Sequence, residues 1–189
     1  MRLALYTFGV FRERAGDPVN DGFKKREPAN IAAVERSAGF IARSGYAGEP
    51  GPASWGEETY PRFYVERGDG WSPATLSLWE SPEAAMAFSY FGIHAEALRH
   101  ARDWFVERRW PGYVCWWTAE RPVWIDGVKR LEQLHDEGSR PDAFTFKLPF
   151  GPNGQSTEID REQLRVLRDT NEAREENAAR DGARSSAGS

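Results

Sequence analysis

The chain has 189 residues, 40% of them apolar, enough for one ordinary domain with a hydrophobic core and too few to expect a second. A formal charge of −4 and a pI near 5.5 exclude the clustered Lys and Arg from which nucleic-acid binding draws most of its free energy. One cysteine, Cys115, cannot close an internal disulfide, and three histidines form no CxxC or HExxH spacing for a metal. With no run near the roughly 20 apolar residues that span a bilayer, the composition points to a protein of the reducing cytoplasm, without nucleic-acid or membrane partners.

Arg2–Val10 alternates Leu3, Leu5 and Thr7 with Ala4, Tyr6 and Phe8, the period-two pattern of a strand. The stretch lacks a small-residue cleavage signal, so it reads as structure and not as a leader. Helix formers over Val19–Ser37 fall into two pieces, the second started by Pro28, whose missing N–H is harmless in a first turn, and ended by Gly39. Phe40–Arg43 makes a short second strand. Ser44–Ser72 collects Gly48, Pro50, Gly51, Pro52 and Gly56 and reads as a long loop with room for a small strand at Arg62–Glu66. A loop of this length is more often functional or mobile than idle, and it is a candidate lid.

Ala74–Glu80 is a third strand. Ser81-Pro82-Glu83 behind it is a helix start: a serine N-cap, proline in the first turn and an acid at the positive helix end. That helix runs to about Phe91, bends at Gly92 and resumes over Ile93–Phe105. A wheel at about 100° per residue gathers His94, Ala97, Leu98, Ala101, Trp104 and Phe105 on one stripe, with Glu96, Arg99, His100 and Asp103 opposite. His94 is therefore expected to face inward. Tyr113–Thr118 is the fourth strand, on which the adjacent Trp116 and Trp117 point to opposite sheet faces. Trp124–Asp136 carries Trp124, Val128 and Leu131 at i, i+4 and i+7 and is closed by Gly138. Ala143–Leu148 suits an edge strand. After Pro149 the hydrophobicity collapses, and residues 151–189 read as a charged, largely disordered tail in which Ile159, Leu164 and Leu167 offer a weak helical pattern.

The order is β-α-β-β-α-β within residues 1–150, an α+β domain of ferredoxin-like arrangement, with an antiparallel sheet and helices on one face. On the first and third strands one set of alternate residues is aliphatic (Leu3, Leu5, Leu76, Leu78) and the other mixes aromatic and hydroxyl groups (Tyr6, Phe8, Thr75, Ser77, Trp79). A monomer would leave such mixed faces in water, whereas two sheets paired face to face would bury them, and that predicts a homodimer.

The segment Leu78-Trp79-Glu80-Ser81-Pro82-Glu83-Ala84, continuing through His94 to Trp104-Phe105, resembles antibiotic-biosynthesis-monooxygenase-type domains, in which a strand ending in W-E-S enters a helix carrying a histidine. More specifically, Leu78–Phe105, Cys115-Trp116-Trp117 and Arg130-Leu131 through Ala143-Phe144-Thr145-Phe146 resemble the bacterial domain of unknown function 3291 family over roughly residues 1–150, and Pro28-x-Asn30 with Gly39-Phe40 is compatible with it. The resemblance implies a dimeric α/β barrel, whose relatives include cofactor-independent oxygenases, polyketide cyclases and haem-binding enzymes. The fold by itself does not choose among them.

Eight Trp, 11 Phe and 6 Tyr suit either a heavily packed core or an aromatic-lined cavity for a planar ligand. His94, flanked by small Ala97 and Ala101, is either a core histidine bonded to a carbonyl or to Glu80, a general base toward an acidic phenol or dicarbonyl, or a haem ligand. With it, Tyr6, Asn30 and Trp79 would hold an aromatic enol and donate to its oxyanion. Phe88, Trp104, Trp116 and Trp117 would wall the pocket, and Arg102 would clamp an anion. Cys115 reads as an inert buried thiol and Gly68-Asp69-Gly70 as a turn. The expected function is a tailoring enzyme that oxygenates, cyclises or isomerises an aromatic or polyketide-like substrate without a cofactor. The alternatives are a haem enzyme with His94 as axial ligand and a non-catalytic dimeric binding protein.

Overall fold

Alternation along the first strand sets up the whole molecule, because it sends Leu3 and Leu5 to one side and Ala4, Tyr6 and Phe8 to the other. The computed structural model describes residues 1–187, with side chains through Asp181. Strands β1 (Arg2–Phe8), β2 (Phe40–Arg43), β3 (Ala74–Trp79) and β4 (Tyr113–Thr118) form one four-stranded sheet in the order β2-β3-β1-β4, every neighbouring pair antiparallel. The register places Leu3 opposite Trp79 and Trp117, and Tyr6 opposite Leu76 and Val114. Trp117 and Trp116 accordingly join different buried clusters, one on each face.

The first face carries Leu3, Leu5, Trp79 and Cys115. It is covered by α1 (Asp21–Arg36), α2 (Pro82–Ser89) and Phe144, Phe146 and Phe150 of the segment that follows β4. Ser81 caps α2, its Oγ accepting from Ala84 N at 3.2 Å, as its position before Pro82 and Glu83 predicts. Two short helices, α3 (Gly92–Arg99) and α4 (Ala101–Trp104), then lead to β4. The second face carries Tyr6, Phe8, Leu76, Leu78 and Trp116 under α5 (Trp124–Glu137), whose Trp124, Val128, Leu131 and Leu134 are buried there together with Trp55 of the long loop. The face that the alternation leaves for a second copy is thus covered within the chain. An amphipathic helix following an edge strand can fold back on either side of the sheet, and α5 takes the open one.

Three local expectations are corrected. Helix α1 runs unbroken through Pro28, which lies on the exposed side where water can take the carbonyl freed by its missing N–H. Arg62–Glu66 forms no strand. There Arg62 N donates to Glu132 Oε1 at 2.6 Å and the Arg62 guanidinium pairs with Asp136, pinning the loop to α5. Ala143–Leu148 pairs with β4 only at Phe144, through reciprocal bonds to Cys115.

The largest difference is the tail. Residues Arg161–Ala187 are one helix, α6, docked on α2 and α1; Gly188 and Ser189 of the expected disordered end lie outside the described residues. Asp160 caps α6 through Glu162 N and Gln163 N, and its own N–H donates to Glu83 Oε1 at 3.0 Å. Leu167 joins the first-face cluster, Asn171 accepts from Ala38 N, and Arg174 donates to the Arg36 carbonyl. Much of this docking is polar, which is why hydrophobicity does not reveal it. No helix among the described residues is long and apolar enough to cross a membrane.

Candidate functional site

Trp79 closes β3 fully buried, its indole N–H donating to Ser77 Oγ at 2.9 Å and its ring meeting Phe40 edge-on. The Ser81 cap starts α2 immediately after this tryptophan, so that two turns later Phe88 stacks on it, ring centroids 5.7 Å apart. His94 of α3 also packs against Phe88, ring centroids 4.8 Å apart and planes tilted by 42°. A ring nitrogen of His94, Nδ1, lies 2.8 Å from the Ser89 carbonyl. A carbonyl can only accept, so Nδ1 carries the proton and Nε2 keeps a lone pair. Burial holds the imidazole below its ordinary range, against the opposing pull of the Ser89 bond, so the ring is neutral at pH 7.

Beside this stack is a cavity of about 370 Å³. Ala87, Phe88 and Phe91 make its apolar wall; Arg168, Asn171, Glu172 and Glu175 of α6 make the polar one. His94 does not line the cavity and stands behind Phe88. Asn171 is 9% exposed. Its Oδ1 accepts from Ala38 N at 2.8 Å, which fixes the amide orientation and leaves Nδ2 a buried donor with no partner among the described residues. The Arg168 guanidinium lies 5.4 Å from the Phe91 ring centroid and pairs with Asp169 at 3.0 Å.

The other sequence-derived candidates lie elsewhere. Tyr6 is on the second face beneath α5, edge-on to Trp124, with its hydroxyl buried and unpartnered and its ionisation suppressed by burial. Trp116 shares that face and packs under Arg130 at 4.9 Å. Asn30 donates to the Arg26 carbonyl within α1. Trp104 packs on Phe23 and beneath Arg26. Trp117 donates to the Phe150 carbonyl at 2.7 Å, and the Arg102 side chain is exposed. The structure brings together Trp79, Phe88 and His94 and does not gather Tyr6, Asn30, Trp104, Trp116 or Arg102 around them; Trp117 shares the first-face cluster with Trp79 and Phe88, its indole N–H committed to Phe150. Cys115 is buried, and burial pushes its thiol up, away from the reactive thiolate.

These residues do not fit a haem ligated by His94. The imidazole does not open on the cavity, and the wall there offers two carboxylates and one guanidinium, Arg168, already paired with Asp169, where the two haem propionates need free cations. Among the described residues no group of three or more His, Cys, Asp or Glu is placed to hold a metal ion. The residues that sequence reasoning missed are Arg168, Asn171, Glu172 and Glu175. Their signal was the spacing of Leu164, Leu167 and Asn171 at i, i+3 and i+7, one face of a helix whose third member is polar.

Fold and site together define an α+β domain with a small, mixed-polarity cavity in its helical layer. The chain belongs to the domain of unknown function DUF3291 family, whose model matches residues 2–161. No curated protein and no solved structure matches it. The family match ends at the first residue of α6, so Arg168, Asn171, Glu172 and Glu175 of the cavity wall lie beyond it, while Ser37 lies within it.

Proposed function

We propose that this chain binds a small organic molecule in the cavity between α2 and α6. The observation that carries the reading is Asn171 Nδ2, a fixed amide donor without a partner among the described residues, beside a hollow of about 370 Å³ walled in part by Phe88 and Phe91. Its volume lies within the roughly 300–1,000 Å³ of small-molecule sites, and Phe88 and Phe91 supply the apolar wall such sites have, faced here by a more polar one than usual. Native mass spectrometry of the protein purified under mild conditions tests it. A co-purifying mass that disappears in Ala87→Leu, a substitution that fills the hollow, is the expected result. The same bound mass in the filled variant would place the ligand elsewhere and end this reading.

A second reading, a cofactor-independent tailoring enzyme acting on an aromatic or polyketide-like substrate, is favoured by the His94 ring itself. Its Nδ1–H is held by the Ser89 carbonyl, it is neutral at pH 7, and its basic Nε2 stands one aromatic ring from the cavity. Catalysis there requires Phe88 to swing aside. Turnover lost in His94→Ala with folding intact separates the enzyme from the binder. The strand order and its antiparallel pairing support a ferredoxin-like domain, and with it kinship to the antibiotic-biosynthesis-monooxygenase-type superfamily. A homodimer in this reading pairs through a surface other than the second sheet face, which α5 covers.

A further inference from the structure

We infer that the cavity selects a small aromatic carbonyl compound bearing an ammonium group, and that the selecting residues are those α6 adds beyond the family domain. The inference rests on the reading of the cavity as a small-molecule site. Size comes first. A dry hollow of roughly 150 Å³ holds benzene, so about 370 Å³ has room for one substituted ring against Phe88 and Phe91.

Hydrogen bonding supplies the second criterion. Asn171 cannot turn its amide over, because Oδ1 is committed to Ala38 N; Nδ2 is left a donor closed to water beside the cavity, which a ligand oxygen reaches as the wall yields to it. A ligand lacking that oxygen leaves Nδ2 desolvated and unpaired, a penalty worth about tenfold in affinity.

Charge supplies the third. The ion pairs of α6 join Arg165 to Glu162 and Asp169, Arg168 to Asp169, and Arg180 to Glu176. The cationic member of the wall, Arg168, is thus answered by Asp169 and by the face of Phe91. Glu172 and Glu175 belong to no ion pair among the described residues. Glu175 lies against Gly92 at the start of α3, which offers it only a partial positive charge. The uncompensated charge of the lining is negative, so an ammonium is favoured and a carboxylate is repelled.

Four probes on one aromatic frame separate these criteria: para-acetylbenzylammonium, acetophenone, para-acetylbenzoate and para-ethylbenzylammonium. Each is titrated into the full-length protein at low salt and followed by two-dimensional NMR, including the side-chain amide of Asn171. The acetyl ammonium compound is expected to bind about tenfold tighter than either acetophenone or the ethyl ammonium compound, moving the Asn171 amide. Asn171→Asp keeps the acceptor for Ala38 N and should abolish the preference for acetyl over ethyl. Glu172→Gln combined with Glu175→Gln should abolish the preference for ammonium, with backbone resonances of the sheet unchanged in both variants. Tightest binding by the benzoate, or preferences that survive these substitutions, would overturn the ligand class while leaving the site. If none of the four probes moves a cavity resonance at millimolar concentration, the small-molecule reading itself falls.

Discussion

Gly127 of α5 rests on the ring of Tyr6 in β1: a Cβ at position 127 would stand 2.5 Å from Tyr6 Cγ. This contact lets α5 lie flat on the second sheet face and seal it. Alanine is the better helix former by about 1 kcal/mol, yet here its methyl meets a fully buried ring held by Trp124. Overpacking of this kind costs typically 1–3 kcal/mol or more. Gly127→Ala is therefore expected to lower stability by about 1–2 kcal/mol, read as a lower urea midpoint at unchanged slope. A midpoint equal to or above that of the parent would mean that α5 can lift from the sheet at no cost.

The same tyrosine gives a test of opposite sign. Its hydroxyl is buried beside Trp124 without a hydrogen-bond partner among the described residues, so removing it removes a desolvated polar group and nothing that compensates it. Tyr6→Phe should leave the protein as stable as before or stabilise it, by up to about 1 kcal/mol. Destabilisation of similar size in the urea midpoint would show that the hydroxyl is bonded in solution, and would restore Tyr6 as a residue that orients a ligand.

The strands are legible in the sequence because their periodicity is dense, but which alternate sets share a face is not: the register puts Leu76 and Leu78 with Tyr6 and Phe8, and Trp79 with Leu3 and Leu5, opposite to the grouping by side-chain type. The start of α2 is equally plain in Ser81-Pro82-Glu83. What covers each face is not legible, since the stripe Trp124, Val128, Leu131 specifies burial without naming the surface it meets. The inward face of His94 is half right. The ring packs on Phe88, but an α3 of eight residues ends before it can carry that stripe to the sheet, and Leu98 is left exposed. The cavity is hard to read for a different reason: its α6 wall belongs to a helix docked largely through Asn171, Arg174 and the Asp160 backbone, which leaves only the weak apolar pattern of Leu164 and Leu167.

Gly92 joins the family domain to that helix. It opens α3 at φ +59°, and a Cβ there would stand 2.7 Å from Glu175 Oε1 of α6. Gly92→Ala therefore meets two penalties, the left-handed backbone at roughly 1–2 kcal/mol and displacement of the Glu175 carboxylate. The expected outcome is local: faster amide hydrogen exchange over Asn171 to Glu176, with the sheet protected as before. Loss of protection throughout the sheet would show instead that α6 and the domain unfold as one unit.

His94 makes a pH prediction whose sign follows from its burial. The ordinary histidine value is 6.5, and burial beside Phe88 holds His94 below it in the folded chain. As pH falls through 6.5 the unfolded chain takes up the proton first, so stability is full above that value and declines until the folded value is passed. Glu27 and Glu58, whose carboxyls burial pushes up, contribute with the opposite sign, losing stability as pH rises through their raised values. A comparison that cancels the carboxyls is His94→Asn, which can place an amide donor near the position of Nδ1 to meet the Ser89 carbonyl and does not titrate. Between about pH 7.5 and 5.5 the parent should lose up to about 1 kcal/mol of unfolding free energy more than the variant, at most 1.36 kcal/mol per pH unit. Parallel pH profiles for the two proteins would mean that the ring is solvated in the folded state, and with that the neutral base behind Phe88 would be lost.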